Sequence, residues 1–140
     1  MASRSQSAKP RGDAPERTLR VLLVDDDQEL LSSLSQALAR LGVEVITAVT
    51  AAEALAMIAD PSIAFDVLVV DMVLPDSWGS QVAMERTLYR PGVPVIYISG
   101  YSRGDAVFAA TTGASDVAFL EKPFTPQELV AAIRRAVIGE

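Results

Sequence analysis

The sequence predicts an α/β fold: a doubly wound (βα)5 unit in which a parallel five-stranded sheet lies between two layers of helices. Three observations carry that prediction. Five short β-branched-rich runs recur along the chain: 20–24 (RVLLV), 43–47 (VEVIT), 67–70 (VLVV), 94–98 (PVIYI) and 116–120 (DVAFL). Most are apolar on both faces, as strands covered by helices on either side must be. Segments of helical periodicity separate them, and right-handed crossovers between parallel strands then place helices on both faces of the sheet.

Each helix has its own signals. In 28–41, Leu30, Leu31, Leu34, Leu38 and Leu41 fall at helical spacing, and Gly42 stops the run. Asp27 stands where that helix needs an N-cap. The second helix opens on a capping box, Thr50-Ala51-Ala52-Glu53. The third spans about 79–90 and ends before Pro91-Gly92. The fourth, about 104–112, has the weakest signals, with no strong cap and two threonines near its end. The last opens with Thr125-Pro126-Gln127-Glu128, a capping box joined to a proline at the first helical position.

Composition narrows the chemistry. The 140 residues contain no cysteine and no histidine, which removes disulfides, thiolate metal sites, the commonest general base and any phosphohistidine on this chain. No apolar run reaches the length of a membrane span, so no membrane insertion is expected. The net charge of −6 is unevenly divided, with +2 on residues 1–18 and −8 on residues 19–140. An acidic domain repels phosphate backbones, and direct nucleic-acid binding is not expected. Residues 1–18, rich in Ser, Pro, Ala and charge, are expected to be a disordered leader, and 19–140 the folded domain.

Doubly wound sheets bind ligands beyond the carboxyl ends of their strands. There this sequence places Asp25, Asp26 and Asp27 after the first strand, Asp71 after the third, Ser99 after the fourth and Lys122 after the fifth. Two carboxylates about 4 Å apart repel by roughly 4 kcal/mol at an effective dielectric of about 20. Asp27 is explained as a cap; one helix needs only one, so Asp25 and Asp26 are not. Lys122 is the single lysine in 19–140, beside seven arginines. A compact ammonium suits a point contact with an anion, and the Lys122-Pro123 bond is a candidate cis peptide. Asp25, Asp26 and Asp71 form a hard-oxygen set that selects Mg²⁺ or Mn²⁺ over zinc and relieves the repulsion. One carboxylate is then free to act as a nucleophile towards phosphorus.

The stretches VLLVDDD, VLVVDMVLPDSWG, VPVIYISGYS and GASDVAFLEKPF, in this order and spacing, resemble a receiver domain of a two-component response regulator. The likeness runs from about Arg20 to Ile138, and resembles in places the receivers of hybrid histidine kinases. It implies a flavodoxin-like sheet in the order 2-1-3-4-5. It also implies that Asp71 accepts a phosphoryl group from a sensor histidine kinase or phosphotransfer protein. Asp26 would ligate Mg²⁺ directly, Asp25 largely through water, and the Val73 backbone carbonyl would complete the protein ligands. Lys122 and Ser99 would contact the phosphoryl group, with Ser99, Tyr101 and Phe119 forming the switch that an output partner reads. Pro75 and Gly79 match the Pro and Gly of the family's loop. A cytoplasmic signalling domain follows, not an enzyme beyond its own phosphotransfer and dephosphorylation.

Three residues depart from the family pattern, among them Phe119, which lacks the hydroxyl that a tyrosine would offer a partner. Val73 is apolar and cannot orient an attacking water, so a long phosphorylated lifetime is the expectation. Trp78 replaces a commoner aliphatic residue, and is expected as a half-buried lid on Asp71. Among rivals, an Asp-nucleophile phosphatase needs a second Asp at position 73 and a cap domain. A phosphorylation-independent interaction module usually lacks one of the acidic residues or the lysine, all present here. Flavin binding lacks its phosphate loop after the first strand, where there is acid instead.

Overall fold

The computed structural model describes residues 18–100 and 118–139. They form β1 (Leu19–Val24), α1 (Gln28–Arg40), β2 (Val43–Ala48), α2 (Ala51–Ala59), β3 (Val67–Asp71), α3 (Gly79–Tyr89), β4 (Val95–Ser99), β5 (Ala118–Glu121) and α4 (Pro126–Ile138). The expected helix at 104–112, residues 116–117 of the fifth strand run, Tyr101 and residues 1–17 lie outside the described residues.

The strands pair in parallel in the order β2-β1-β3-β4-β5, as expected. Strand order therefore reverses between β1 and β3, the place where such sheets open a crevice at their carboxyl edge. Alternate side chains feed two cores. Leu22 and Val24 of β1, Leu68 and Val70 of β3 and Tyr97 of β4 pack with Ala54 and Ile58 of α2 and Val82 of α3. Val21, Leu23, Val67, Val69, Ile96 and Ile98 face the other way, onto Leu31, Leu34 and Leu38 of α1 and Leu129 and Ile133 of α4. All five residues of β3 and all five of β4 are buried. β5, at the sheet's edge, is less covered than an apolar run implies, its first three residues being half-buried.

The helix starts follow their sequence signals. Asp27 Oδ1 accepts from the Leu30 N–H at 3.1 Å, the cap expected for α1. Gly42 follows α1 at φ +85°, a backbone that side chains other than glycine's rarely adopt. α4 carries the complete capping box of Thr125 and Glu128. In α2, Thr50 Oγ1 accepts from the Glu53 N–H at 3.1 Å, but Glu53 reaches back to the N–H of Val49 rather than to that of the cap.

Arg90 closes the far end of the α2–α3 layer. Its guanidinium donates to the carbonyl oxygens of Ile58 (3.1 Å), Asp60 (2.8 Å) and Ile63 (2.7 Å), and lies 4.5 Å from the centre of the Phe65 ring. These carbonyls end α2 and the loop after it, where intrahelical donors run out. No helix among the described residues is long and apolar enough to cross a membrane.

Candidate functional site

Register brings the strand-end carboxylates together. Val24 of β1 pairs with Val70 of β3, so Asp25 and Asp71 stand side by side one residue further on. Asp25 is anchored to the other neighbour of β1, its N–H donating to the Ala48 carbonyl at 3.1 Å. Asp71 pairs with Ile98 of β4, which places Ser99 one step beyond; Ser99 pairs with Glu121 of β5, one step before Lys122. The Lys122 N–H donates to the Ser99 carbonyl at 2.7 Å, and the Lys122-Pro123 peptide is cis, as the sequence suggested.

Asp25 and Asp71 are buried while Asp26 is exposed. One carboxylate oxygen from each lies within 4.8 Å of the others. Lys122 Nζ stands 2.8 Å from Asp25 Oδ2 and 2.9 Å from Asp71 Oδ2. The contact to Asp71 is a hydrogen bond; that to Asp25 is a close ion pair without hydrogen-bond alignment, leaving Asp25 Oδ2 buried with no directed donor. The remaining oxygens are held by backbone, Asp25 Oδ1 accepting from the Asp27 N–H and Asp71 Oδ1 from the Val73 N–H, both at 2.9 Å.

Burial is the main influence on Asp25 and pushes its carboxyl above the usual range. The adjacent Lys122 ammonium and the hydrogen bond from the Asp27 N–H work against that rise, and the nearby Asp71 charge adds to it. For Lys122, burial alone pulls the ammonium down, but its contacts with Asp25 and Asp71 outweigh burial and raise it. One cation thus faces two buried carboxylates and an exposed third. Such a site retains a demand for positive charge. The donor set is all oxygen and includes a buried carboxylate oxygen lacking a directed donor, which fits a hard divalent cation such as Mg²⁺.

The other sequence-predicted residues are distributed as follows. Ser99 is buried at the end of β4. Phe119 pairs in register with Tyr97 and is half-buried against the α2–α3 core. Tyr101 falls outside the described residues. Val73, one-third exposed at 37%, bridges the backbone of Trp78. Trp78, expected as a half-buried lid, keeps 54% of its surface in solvent.

Gly79 and Asp76 supply what the sequence did not explain. The Gly79 N–H donates to the Met72 carbonyl at 2.8 Å, and a Cβ on Gly79 would overlap the Asp71 carbonyl oxygen. Only glycine lets α3 start this close to the end of β3. Asp76, four residues beyond Met72, accepts from the N–H groups of Ala51 and Ala52 at 2.8 and 3.0 Å.

A family model described as the response regulator receiver domain matches residues 21–134. The response regulator SaeR of Staphylococcus aureus is 29% identical over 114 residues, covering 81% of this chain and 48% of that protein. The chain thus spans about half the length of the curated relatives it matches. Among solved structures, a CheY-like response regulator receiver domain protein from Methanospirillum hungatei JF-1 superposes with a TM-score of 0.77 at 31% identity, covering 88% of this chain and 96% of that one. A response regulator receiver protein from Sinorhizobium medicae WSM419 gives 0.78 at 31% identity, with coverage of 87% and 96%.

Proposed function

The chain belongs to the response regulator receiver domain family, and on that premise we propose that Asp71 takes a phosphoryl group from a histidine kinase or phosphotransfer protein in a Mg²⁺-dependent step. A carboxylate oxygen of Asp71 attacks phosphorus; the new O–P bond forms as the P–N bond of the donor's phosphohistidine breaks, and the donor imidazole departs with the electron pair. The reading gives each neighbour a task. Lys122, already between Asp71 and Asp25, holds the acceptor in place and meets an oxygen of the incoming group. Ser99 donates its hydroxyl to another. Asp25, Asp26, Asp71 and the Val73 carbonyl would hold the cation, which would neutralise phosphoryl charge.

A buried Ser99 drawn towards a phosphorylated Asp71 makes room for Phe119 to turn inward, and Tyr101 belongs to the same switch. An output partner reads the change. The same reading makes the chain a cytoplasmic signalling domain that catalyses only its own phosphotransfer and dephosphorylation. Its best support is the convergence of the three carboxylates within 4.8 Å, with Lys122 bridging two of them.

Intact mass after exposure to acetyl phosphate tests it. The expected result is a gain of one phosphoryl group that requires Mg²⁺, disappears with hydroxylamine and is absent from Asp71→Asn. A gain that survives in Asp71→Asn would move the acceptor elsewhere. A chain that neither gains mass nor binds Mg²⁺ would be an interaction module instead.

A further inference from the structure

The loop between β3 and α3 carries both Asp71 at its root and Val73 just beyond. Inside the loop, the Val73 N–H donates to Asp71 Oδ1 at 2.9 Å, Val73 and Trp78 bridge, and the Leu74 N–H donates to the Ser77 carbonyl at 3.0 Å. Met72 and Leu74 are buried in the α2–α3 core and the Met72 N–H donates to the Ile98 carbonyl at 3.0 Å; further along, a side chain ties the loop to a helix start. Asp76 Oδ1 accepts from the Ala51 N–H at 2.8 Å, and Asp76 Oδ2 from the Ala52 N–H at 3.0 Å.

Those two N–H groups are among the donors that every helix start leaves without an intrahelical partner. α2 already has a cap of its own, Thr50, which takes the Glu53 N–H, while the Ala54 N–H bonds the Thr50 carbonyl. The remaining pair is claimed by a carboxylate 24 and 25 residues away in sequence. A carboxylate spanning two backbone N–H groups at a helix N-terminus makes charge-assisted bonds and meets the positive end of the helix dipole. The Ala51 bond first, then the Ala52 bond, hold the Asp76 carboxyl below its usual range.

The groups of the site are fixed differently. Asp25 and Asp71 are placed by the sheet ladder, which continues on both sides of β3. The last bond of that ladder runs from the Met72 N–H to the Ile98 carbonyl, so Val73 lies just past it and its carbonyl depends on what holds the loop. We infer that Asp76 is a positioning residue, tying the β3–α3 loop to the start of α2 and so fixing where the Val73 carbonyl stands relative to the carboxylates of Asp25, Asp26 and Asp71. The inference rests on the proposed reading of those groups as a divalent-cation site. Outer partners that orient metal ligands affect affinity by about 10- to 100-fold, the scale on which an untied loop is felt.

The test compares Asp76→Ala with Thr50→Ala. Both remove a side-chain partner of the same helix start, but only the first unties the loop. Binding of Mn²⁺, a spectroscopically visible stand-in for Mg²⁺, is followed by electron paramagnetic resonance, and amide exchange of Val73 and Leu74 is followed without metal. Asp76→Ala is expected to weaken Mn²⁺ binding about tenfold and to abolish slow exchange at both amides, while Thr50→Ala leaves both readings at wild-type values. Equal Mn²⁺ affinity in Asp76→Ala and wild type overturns the positioning role, as does an equal loss in Thr50→Ala. Unchanged exchange in Asp76→Ala overturns the tether itself. A wild-type chain that binds no Mn²⁺ removes the cation-site reading; loosened exchange in Asp76→Ala would then leave Asp76 as a structural cap only.

Discussion

Lys122 Nζ lies 2.9 Å from Asp71 Oδ2 and reaches it from beyond the far edge strand of the sheet, with Asp25 Oδ2 at 2.8 Å on its other side. The ammonium is the common counter-charge of two carboxylates that would otherwise repel across the crevice. Its loss is therefore felt before any chemistry begins.

Lys122→Ala is expected to destabilise the metal-free chain by roughly 3 kcal/mol, the scale for removing one partner of a buried ion pair. Excess Mg²⁺ is expected to recover much of that loss, because a dication held by the same carboxylates replaces the missing charge. Urea melts in chelator and in Mg²⁺ measure both. Equal destabilisation in the two media would mean that the cation does not occupy this site.

Gly79→Ala forces a methyl group onto the Asp71 carbonyl oxygen, a backbone atom that no rotamer change can move aside. Overpacking of this kind costs about 1–3 kcal/mol. The urea midpoint falls, and chemical shifts change at Asp71 and Met72 more than elsewhere. A variant as stable as wild type, with unshifted Asp71, would show that α3 starts with more room than the structure gives it.

Acid should weaken the Asp76 contact in a defined window. Its hydrogen bonds from Ala51 and Ala52 lower the folded-state value below the ordinary 3.8. The stability contributed by the charge is complete above that ordinary value and is lost as pH falls through the depressed one. Against Asp76→Asn, similar in shape and uncharged, the wild type is more resistant to urea at neutral pH, and the gap closes as pH falls below the depressed value. A gap that persists there would trace to shape rather than charge.

Arg90→Lys removes a fork that one ammonium cannot reproduce, since Nε donates to the Ile58 carbonyl while Nη2 donates to those of Asp60 and Ile63, and one face of Phe65 is covered. Hydrogen bonds from a charged donor contribute about 1.5–3 kcal/mol each, so a loss of roughly 2 kcal/mol is expected in thermal or urea melts. Labelling by acetyl phosphate stays at the wild-type level, because Arg90 closes the opposite end of the α2–α3 layer.

The five strand runs and the polar residues just past them were legible because strand period and burial are local properties of sequence. Asp25, Asp71, Ser99 and Lys122 arrive together through the register of β1, β3, β4 and β5, with no further information needed. Strand ends shifted by a residue where the ladder outlasts the apolar run, as at Asp71 and Ser99. Asp76 and Arg90 were not legible. One resembles a turn residue after Pro75 and the other a surface arginine at a helix end, and their partners lie 24 to 32 positions upstream. The need for glycine at 79 matched a family pattern in the sequence, but its cause is a backbone clash that only three dimensions contain. β5 shows the reverse error, because its apolar residues promised more cover than an edge strand receives.

β3 is buried at every residue and laced to a neighbour on each side. Mechanically, Asp71 is the tip of a clamped beam. A group that gains charge on such a mounting cannot recoil into the sheet, so the load passes to the parts hung outside it: the loop beyond, and the side chains of the adjoining strand ends. The stiffness of the middle strand thereby decides which pieces of the molecule are left to move.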